Sequence, residues 1–339
     1  MRTSLNTGAN KLSVSYPTVT VIQKTGGGLP ATTGSNVQIS GYSFGPVTPT
    51  GGTAPISVMI GNPPGVACTN VKITTSPAQP NGPSTLTCDA PVGSGVNNPI
   101  ALTLTNDGRT LTNAAQGTAA NIFTYSGPVI TAVTPAATQG GPFNITGNGF
   151  GPATTTGVSG LANAIALTNI QVVSDTLITA TMPTAGIGGP YAITVTVNGQ
   201  QSASVNLFHY ADPVVSSISV APSVFGGTFT ITGENFGAPG TTAVVQITYG
   251  GVTETATGPT VASHTSIVAT VTCPTLCHTS ASDVLVTISG KTSGTSGNGK
   301  LSCAGLVVTS VADISMFASD TNVDPLGHHG NEPWPRTAT

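Results

Sequence analysis

A twelve-residue phrase occurs three times and sets what this chain can become. It reads GSNVQISGYSFG at Gly34–Gly45, GGPFNITGNGFG at Gly140–Gly151 and GGTFTITGENFG at Gly226–Gly237. In each copy apolar and polar residues alternate into a glycine: Val37 and Ile39 before Gly41, Phe143 and Ile145 before Gly147, Phe229 and Ile231 before Gly233. Period-two alternation is what a strand with one buried face needs. The glycine is expected to end the strand at a bend or bulge that a Cβ would obstruct. A phenylalanine follows three residues later, Phe44, Phe150 and Phe236, and is expected to fold back as a core plug.

The anchor glycines lie 106 residues apart from 41 to 147 and 86 apart from 147 to 233. A repeat of roughly 100 residues built from short strands has the size of an immunoglobulin-like sandwich. Each copy follows a proline-led strand: YPTVTV at Tyr16–Val21, PVITAV at Pro128–Val133 and PVVSSI at Pro213–Ile218. This pattern resembles the IPT/TIG family of immunoglobulin-like domains. Three further stretches carry the resemblance: STLTCDAPVGSGVN at Ser84–Asn97, TLITATMP at Thr176–Pro183 and TSIVATVTCP at Thr265–Pro274. It covers about residues 13 to 308. The expected fold is all-β, three tandem IPT/TIG sandwiches with an extended C-terminal tail. A fold of this kind hosts many roles, so function must come from the residues.

Composition narrows the roles. Of the 339 residues only 6% are charged and the formal net charge is −3, against about a quarter charged in ordinary soluble domains. β-branched residues alternate throughout, so the chain is not of the disordered type. Something must hydrate this surface or hide it, and glycans and burial in an assembly are the two physical options. From Thr110 to Gly290 there is no Lys or Arg, so the central region cannot neutralise a phosphate backbone and no nucleic-acid partner is expected. No apolar run reaches the roughly 18–20 residues that cross a bilayer, so no membrane insertion is expected. The start, MRTSLNTGANK, lacks the apolar segment of a signal peptide. An exported chain is therefore expected in a mature or trimmed form, or by an unusual route.

In order along the chain, residues 1–11 form a polar extension. Domain 1 spans 12–126, domain 2 spans 127–211 and domain 3 spans 212–308. The linkers at Tyr125–Pro128 and Tyr210–Pro213 are short enough to predict a stiff rod. Asn106-Asp107-Gly108 and Asn198-Gly199 read as hairpin turns. Residues 309–339 form a tail of different composition, containing the single Trp334.

The resemblance implies a disulfide between Cys68 and Cys88, and an oxidising compartment with it. Cys273 is read as the counterpart of Cys88, with no partner in Val252–Glu254. Cys277–Cys303 is then the first pairing in domain 3, leaving Cys273 free or intermolecular, and Cys273–Cys303 is the alternative. One N-glycosylation sequon stands at Asn144-Ile145-Thr146, where Asn144 alternates with two apolar residues and is expected to face outward. Catalysis has little to build on. The carboxylates are scattered, His209, His264 and His278 read as strand or loop residues, and His328-His329 beside Asp324 and Glu332 is at most a weak metal site. No cofactor is expected, and no enzyme.

The function most consistent with these residues is structural: an exported, glycosylated rod that assembles with copies of itself into an extracellular or cell-surface filament. Strand exchange is the expected mechanism, with Thr309–Phe317 as donor, Val311, Ile314, Met316 and Phe317 as its contacts, and Trp334 as an anchor. The alternative is a cell-surface adhesion or receptor ectodomain module that binds a different protein or a glycan.

Overall fold

In the computed structural model of the protein, residues 17–61, 65–75, 82–106, 109–112, 122–218, 226–272, 281–294 and 300–302 are described. All regular elements among them are strands. The first unit contains β1 (Thr18–Lys24), β2 (Asn36–Tyr42), β3 (Ile56–Ile60), β4 (Val66–Ala67), β5 (Thr69–Thr75), β6 (Pro83–Asp89), β7 (Asn98–Asn106), β8 (Arg109–Thr112) and β9 (Ile122–Phe123). The second contains β10 (Val129–Val133), β11 (Gly141–Asn148), β12 (Val158–Ala162), β13 (Ile165–Ala166), β14 (Thr168–Ser174), β15 (Leu177–Met182), β16 (Tyr191–Val197), β17 (Gln200–Gln201) and β18 (Val205–Phe208). The third contains β19 (Val214–Ile218), β20 (Gly226–Glu234), β21 (Ala243–Tyr249), β22 (Val252–Thr255), β23 (Thr257–Ser263), β24 (Ser266–Thr272), β25 (Ser282–Ile288), β26 (Lys291–Thr292) and β27 (Lys300–Leu301).

One topology is used three times. A four-stranded antiparallel sheet runs β1-β2-β6-β5, then β10-β11-β15-β14, then β19-β20-β24-β23. A five-stranded sheet runs β4-β3-β7-β8 with β9 also on β7, and its counterparts are β13-β12-β16-β17 with β18 on β16 and β22-β21-β25-β26 with β27 on β25. Each sheet pair encloses its own apolar core, spanning Val19 to Tyr125, Ile130 to Tyr210 and Val215 to Leu301. These cores are the inward residues of the alternation, including Ile100, Leu102 and Leu104 in β7 and Val284, Val286 and Ile288 in β25. Burying each such side chain contributes on the order of 1.5–3 kcal/mol.

The repeated phrase forms β2, β11 and β20, each at the middle of its four-stranded sheet. Its phenylalanines, Phe44, Phe150 and Phe236, are fully buried as core plugs. The anchor glycines do not end their strands, which run on to Tyr42, Asn148 and Glu234. The bulge lies instead in the partner strand, where register shifts between Val19 and Val21, Ile130 and Ala132, and Val215 and Ser217. The glycine is required for space. A Cβ on Gly147 would overlap the Val129 carbonyl oxygen and lie 2.6 Å from the tip of the Phe150 ring, and Gly41 and Gly233 are hemmed in the same way.

Candidate functional site: the junctions between sandwiches

Two glycine-flanked loops close the sandwich ends. In the first domain the Tyr125 ring lies over Gly93 and its hydroxyl donates to Pro91 O at 2.9 Å. In the second, the Tyr210 ring lies over Gly186 and its hydroxyl donates to Thr184 O at 3.3 Å. Tyr125 N–H also donates to Gly95 O at 3.0 Å, and Tyr210 N–H to Gly188 O at 2.9 Å. Burial raises both phenols, pushing Tyr125 up to about 12. Each tyrosine thus fixes the loop that meets the next domain.

At the first junction Thr32, buried ahead of β2, donates its hydroxyl to the Asp175 carboxylate in the β14–β15 turn. The same carboxylate oxygen accepts the Gly151 N–H at 2.9 Å. Ser94 seats against Gly151, where an added Cβ would stand 2.7 Å from Ser94 Cβ. The β16–β17 hairpin reaches back: Asn198 Nδ2 donates to Ser94 Oγ at 2.9 Å, and Gln200 Nε2 donates to Tyr125 O at 2.8 Å. Gly95 lies so close to Asn198 that it has no room for a side chain.

The second junction repeats the first with different chemistry. Thr138, also buried, places Oγ1 2.9 Å from His264 Nδ1 in the β23–β24 turn, and its N–H donates to Asn235 Oδ1 at 3.3 Å. Ile187 takes the place of Ser94. It packs on the third core, and a Cβ on Gly237 would stand 2.9 Å from its Cγ2. Ser289, in the β25–β26 turn, abuts Gly188 as Asn198 abuts Gly95. Lys291 Nζ lies 4.0 Å from Asp212 Oδ1, with both groups well exposed, so this pair adds little.

The positions correspond residue for residue. Thr32 and Thr138 stand nine residues before Gly41 and Gly147. Asp175 and His264 each offer their carbonyl to the phrase phenylalanine, Phe150 N–H at 3.1 Å and Phe236 N–H at 3.0 Å. A single interdomain latch is therefore built twice, once around a carboxylate and once around an imidazole. In the sequence, Asp175 and His264 are a scattered acid and an isolated histidine. Their signal lay in register: each sits in the turn facing the phrase phenylalanine, and a threonine recurs nine residues before the anchor glycine.

Of the residues singled out by sequence, Cys68 and Cys88 are joined as a disulfide, with Cα atoms 5.8 Å apart. Asn144 is exposed in mid-strand on β11. Cys273, Cys277, Cys303, Val311, Ile314, Met316, Phe317 and Trp334 lie outside the described residues, as do His278, His328 and His329. The reading of Cys273 as the counterpart of Cys88 is corrected by register. Cys88 pairs with Val37, while the equivalent Phe143 and Phe229 pair with Ala180 and Ala269. The N–H of Cys68 donates to Val58 O, that of Leu167 to Gly160 O and that of Ala256 to Val245 O. The disulfide position is thus filled by Leu167 and Ala180 in domain 2 and by Ala256 and Ala269 in domain 3, all buried.

Beside the second junction, an open cleft of about 350 Å³ separates β10 from β18; it is lined by Thr131, Val133, Asn206 and His209, with Lys291 contributed from domain 3. Among the described residues no group of three His, Cys, Asp or Glu side chains could hold a metal ion, and no helix is long and apolar enough to cross a membrane.

Tandem sandwiches of this topology define an immunoglobulin-like class of protein. Residues 128–210 match the family profile of the IPT/TIG domain. The middle sandwich is an IPT/TIG domain, and its neighbours repeat its strand order and phrase. No curated protein sequence matches the chain. Among solved structures it is similar to the full extracellular region of plexin A4, with 14% identity over 83% of this chain and 24% of that one, at a TM-score of 0.28. It is similar to the ICAM-5 D1–D4 ectodomain fragment, with 12% identity over 81% of this chain and 74% of that one, at a TM-score of 0.29. It is also similar to the surface glycan-binding protein PbSGBP-B from Prevotella bryantii, with 15% identity over 50% of this chain and 41% of that one, at a TM-score of 0.31. The chain thus spans less than half the length of the plexin and the Prevotella protein.

Proposed function

We propose that this chain is an exported structural rod whose copies associate end to end into an extracellular or cell-surface filament. The observation that carries the reading is the latch used at both junctions. A contact made twice at equivalent positions gives successive domains a repeated relation, which is what a head-to-tail stack requires. The Cys68–Cys88 disulfide suits an oxidising exterior. The low charge of the chain suits a surface covered by neighbours. The segment Thr309–Phe317 is the proposed strand donor and Trp334 its anchor. Electron microscopy of the purified full chain, and of a variant lacking Thr309–Thr339, tests the reading. Filaments from the full chain that vanish on truncation are the expected result, and dispersed monomers from the full chain overturn it.

The second reading, an adhesion or receptor module on a cell surface, draws on the cleft at the second junction. It combines Lys291, the first Lys or Arg after Arg109, with an apolar floor, as binding sites at domain boundaries do. This reading gains if truncated chains keep binding to cells.

A further inference from the structure

We propose that Asn144 carries an N-linked glycan, and that the β10-β11-β15-β14 face of the middle domain therefore points outward, to solvent, in any assembly. Three observations converge. The first is chemical: Asn144-Ile145-Thr146 is the single sequon of the chain. The second is geometric. Asn144 and Thr146 are two apart on β11, so both side chains leave the same face, and both are exposed while Phe143, Ile145 and Gly147 are buried. Their cross-strand partners are Thr179 and Leu177, and on the far side Thr134 flanks Asn144 and Thr131 flanks Thr146. None of these neighbours would block a saccharide.

The third observation concerns charge. Between residues 127 and 211 the only Lys, Arg, Asp or Glu is Asp175. That carboxylate is engaged by Thr32 and by the Gly151 N–H at the junction. The face around Asn144 is left with threonines, an asparagine and apolar groups. The same face of domain 1 carries Lys72 on β5 and Asp89 on β6, and that of domain 3 carries Glu234 on β20. The one domain without a charge to spare for solvent is the one with the sequon on its open sheet. A neutral, flat β-surface associates readily, and a covalent saccharide supplies the missing hydration.

The step needs a lipid-linked oligosaccharide diphosphate as donor. The Asn144 amide nitrogen bonds to the anomeric carbon of the first sugar, the bond from that carbon to the phosphate oxygen breaks, the lipid diphosphate leaves, and the amide gives up one proton to solvent. This inference stands apart from the filament reading. The test is the intact mass of the native chain beside Asn144→Gln and Thr146→Ala, all made in the same cells. The native chain is expected to exceed its polypeptide mass by one glycan, which peptide-N-glycosidase removes while converting Asn144 to aspartate. Both variants are expected at the bare mass, with an unchanged β-sheet spectrum and lower solubility. A native chain at its bare mass, or an added mass that persists in both variants, overturns the proposal. Variants as soluble as the glycosylated parent overturn the hydration argument.

Discussion

The anchor glycine is the smallest feature with the largest structural demand. Gly147 has an ordinary backbone conformation, so its identity is set by the Val129 carbonyl and the Phe150 ring pressed against it. Gly147→Ala should cost about 3 kcal/mol or more, because neither the sheet backbone nor a fully buried ring can move aside. Gly240, with φ at +84° and open space around it, is the contrast. Gly240→Ala should cost only the left-handed strain, about 1 kcal/mol. Urea titrations of the two variants check the difference. Tyr125 gives a pH effect. Burial holds its folded-state value near 12, above the ordinary 10 of an unfolded tyrosine. The stabilisation is therefore complete below pH 10 and is lost as pH rises from there towards 12. Tyr125→Phe should melt earlier at neutral pH, having lost the bond to Pro91, yet show a shallower decline of melting temperature across that alkaline window.

At the scale of strands, register explains what the cysteines do. Cys68 and Cys88 occupy a buried pair of positions that the other sandwiches fill with Leu167 and Ala180 or with Ala256 and Ala269. Domain 2 has no cysteine, so Leu167→Cys with Ala180→Cys is a clean test of this equivalence. The double variant should oxidise to a bridge and add no free thiol to those of the parent chain. Closing so short a loop should raise stability by up to about 3 kcal/mol, less the cost of removing Leu167. Two thiols more than the parent by thiol titration would mean the register argument fails. The strands of the phrase were legible in the sequence because alternation and a buried face are one fact stated twice. The two-residue strands β4, β13, β17, β26 and β27 were not, because such short pieces carry no periodicity. Cys273 misled for a definite reason. Pro91 and Pro183 follow three residues after Cys88 and Ala180, but β24 runs on to Thr272 and its proline comes two residues late, at Pro274. The latch pairings were harder to read because the partners lie in another domain, and only the threonine nine residues before the anchor glycine marks them in the sequence.

For the whole molecule, the junctions decide whether three sandwiches behave as one body. Both latches place a buried threonine hydroxyl on a polar side chain of the next domain and seat a loop residue on a glycine. Gly95→Ala drives a methyl into Asn198, and Thr138→Ala leaves His264 without its hydroxyl partner. Each should weaken its junction by about 1 kcal/mol or more without unfolding the flanking sandwiches. Small-angle scattering should then report a broader range of end-to-end distances, with a near-native circular dichroism spectrum. If scattering does not change, the latches are not what sets the shape. The disulfide acquires its meaning when the molecule is pulled. It ties positions 20 residues apart within the first sandwich, so about 70 Å of chain there can never be paid out under load. The first sandwich, at 12–126 the longest of the three, would then lengthen by a step close to those of its shorter neighbours, and reducing the disulfide should make its step the longest.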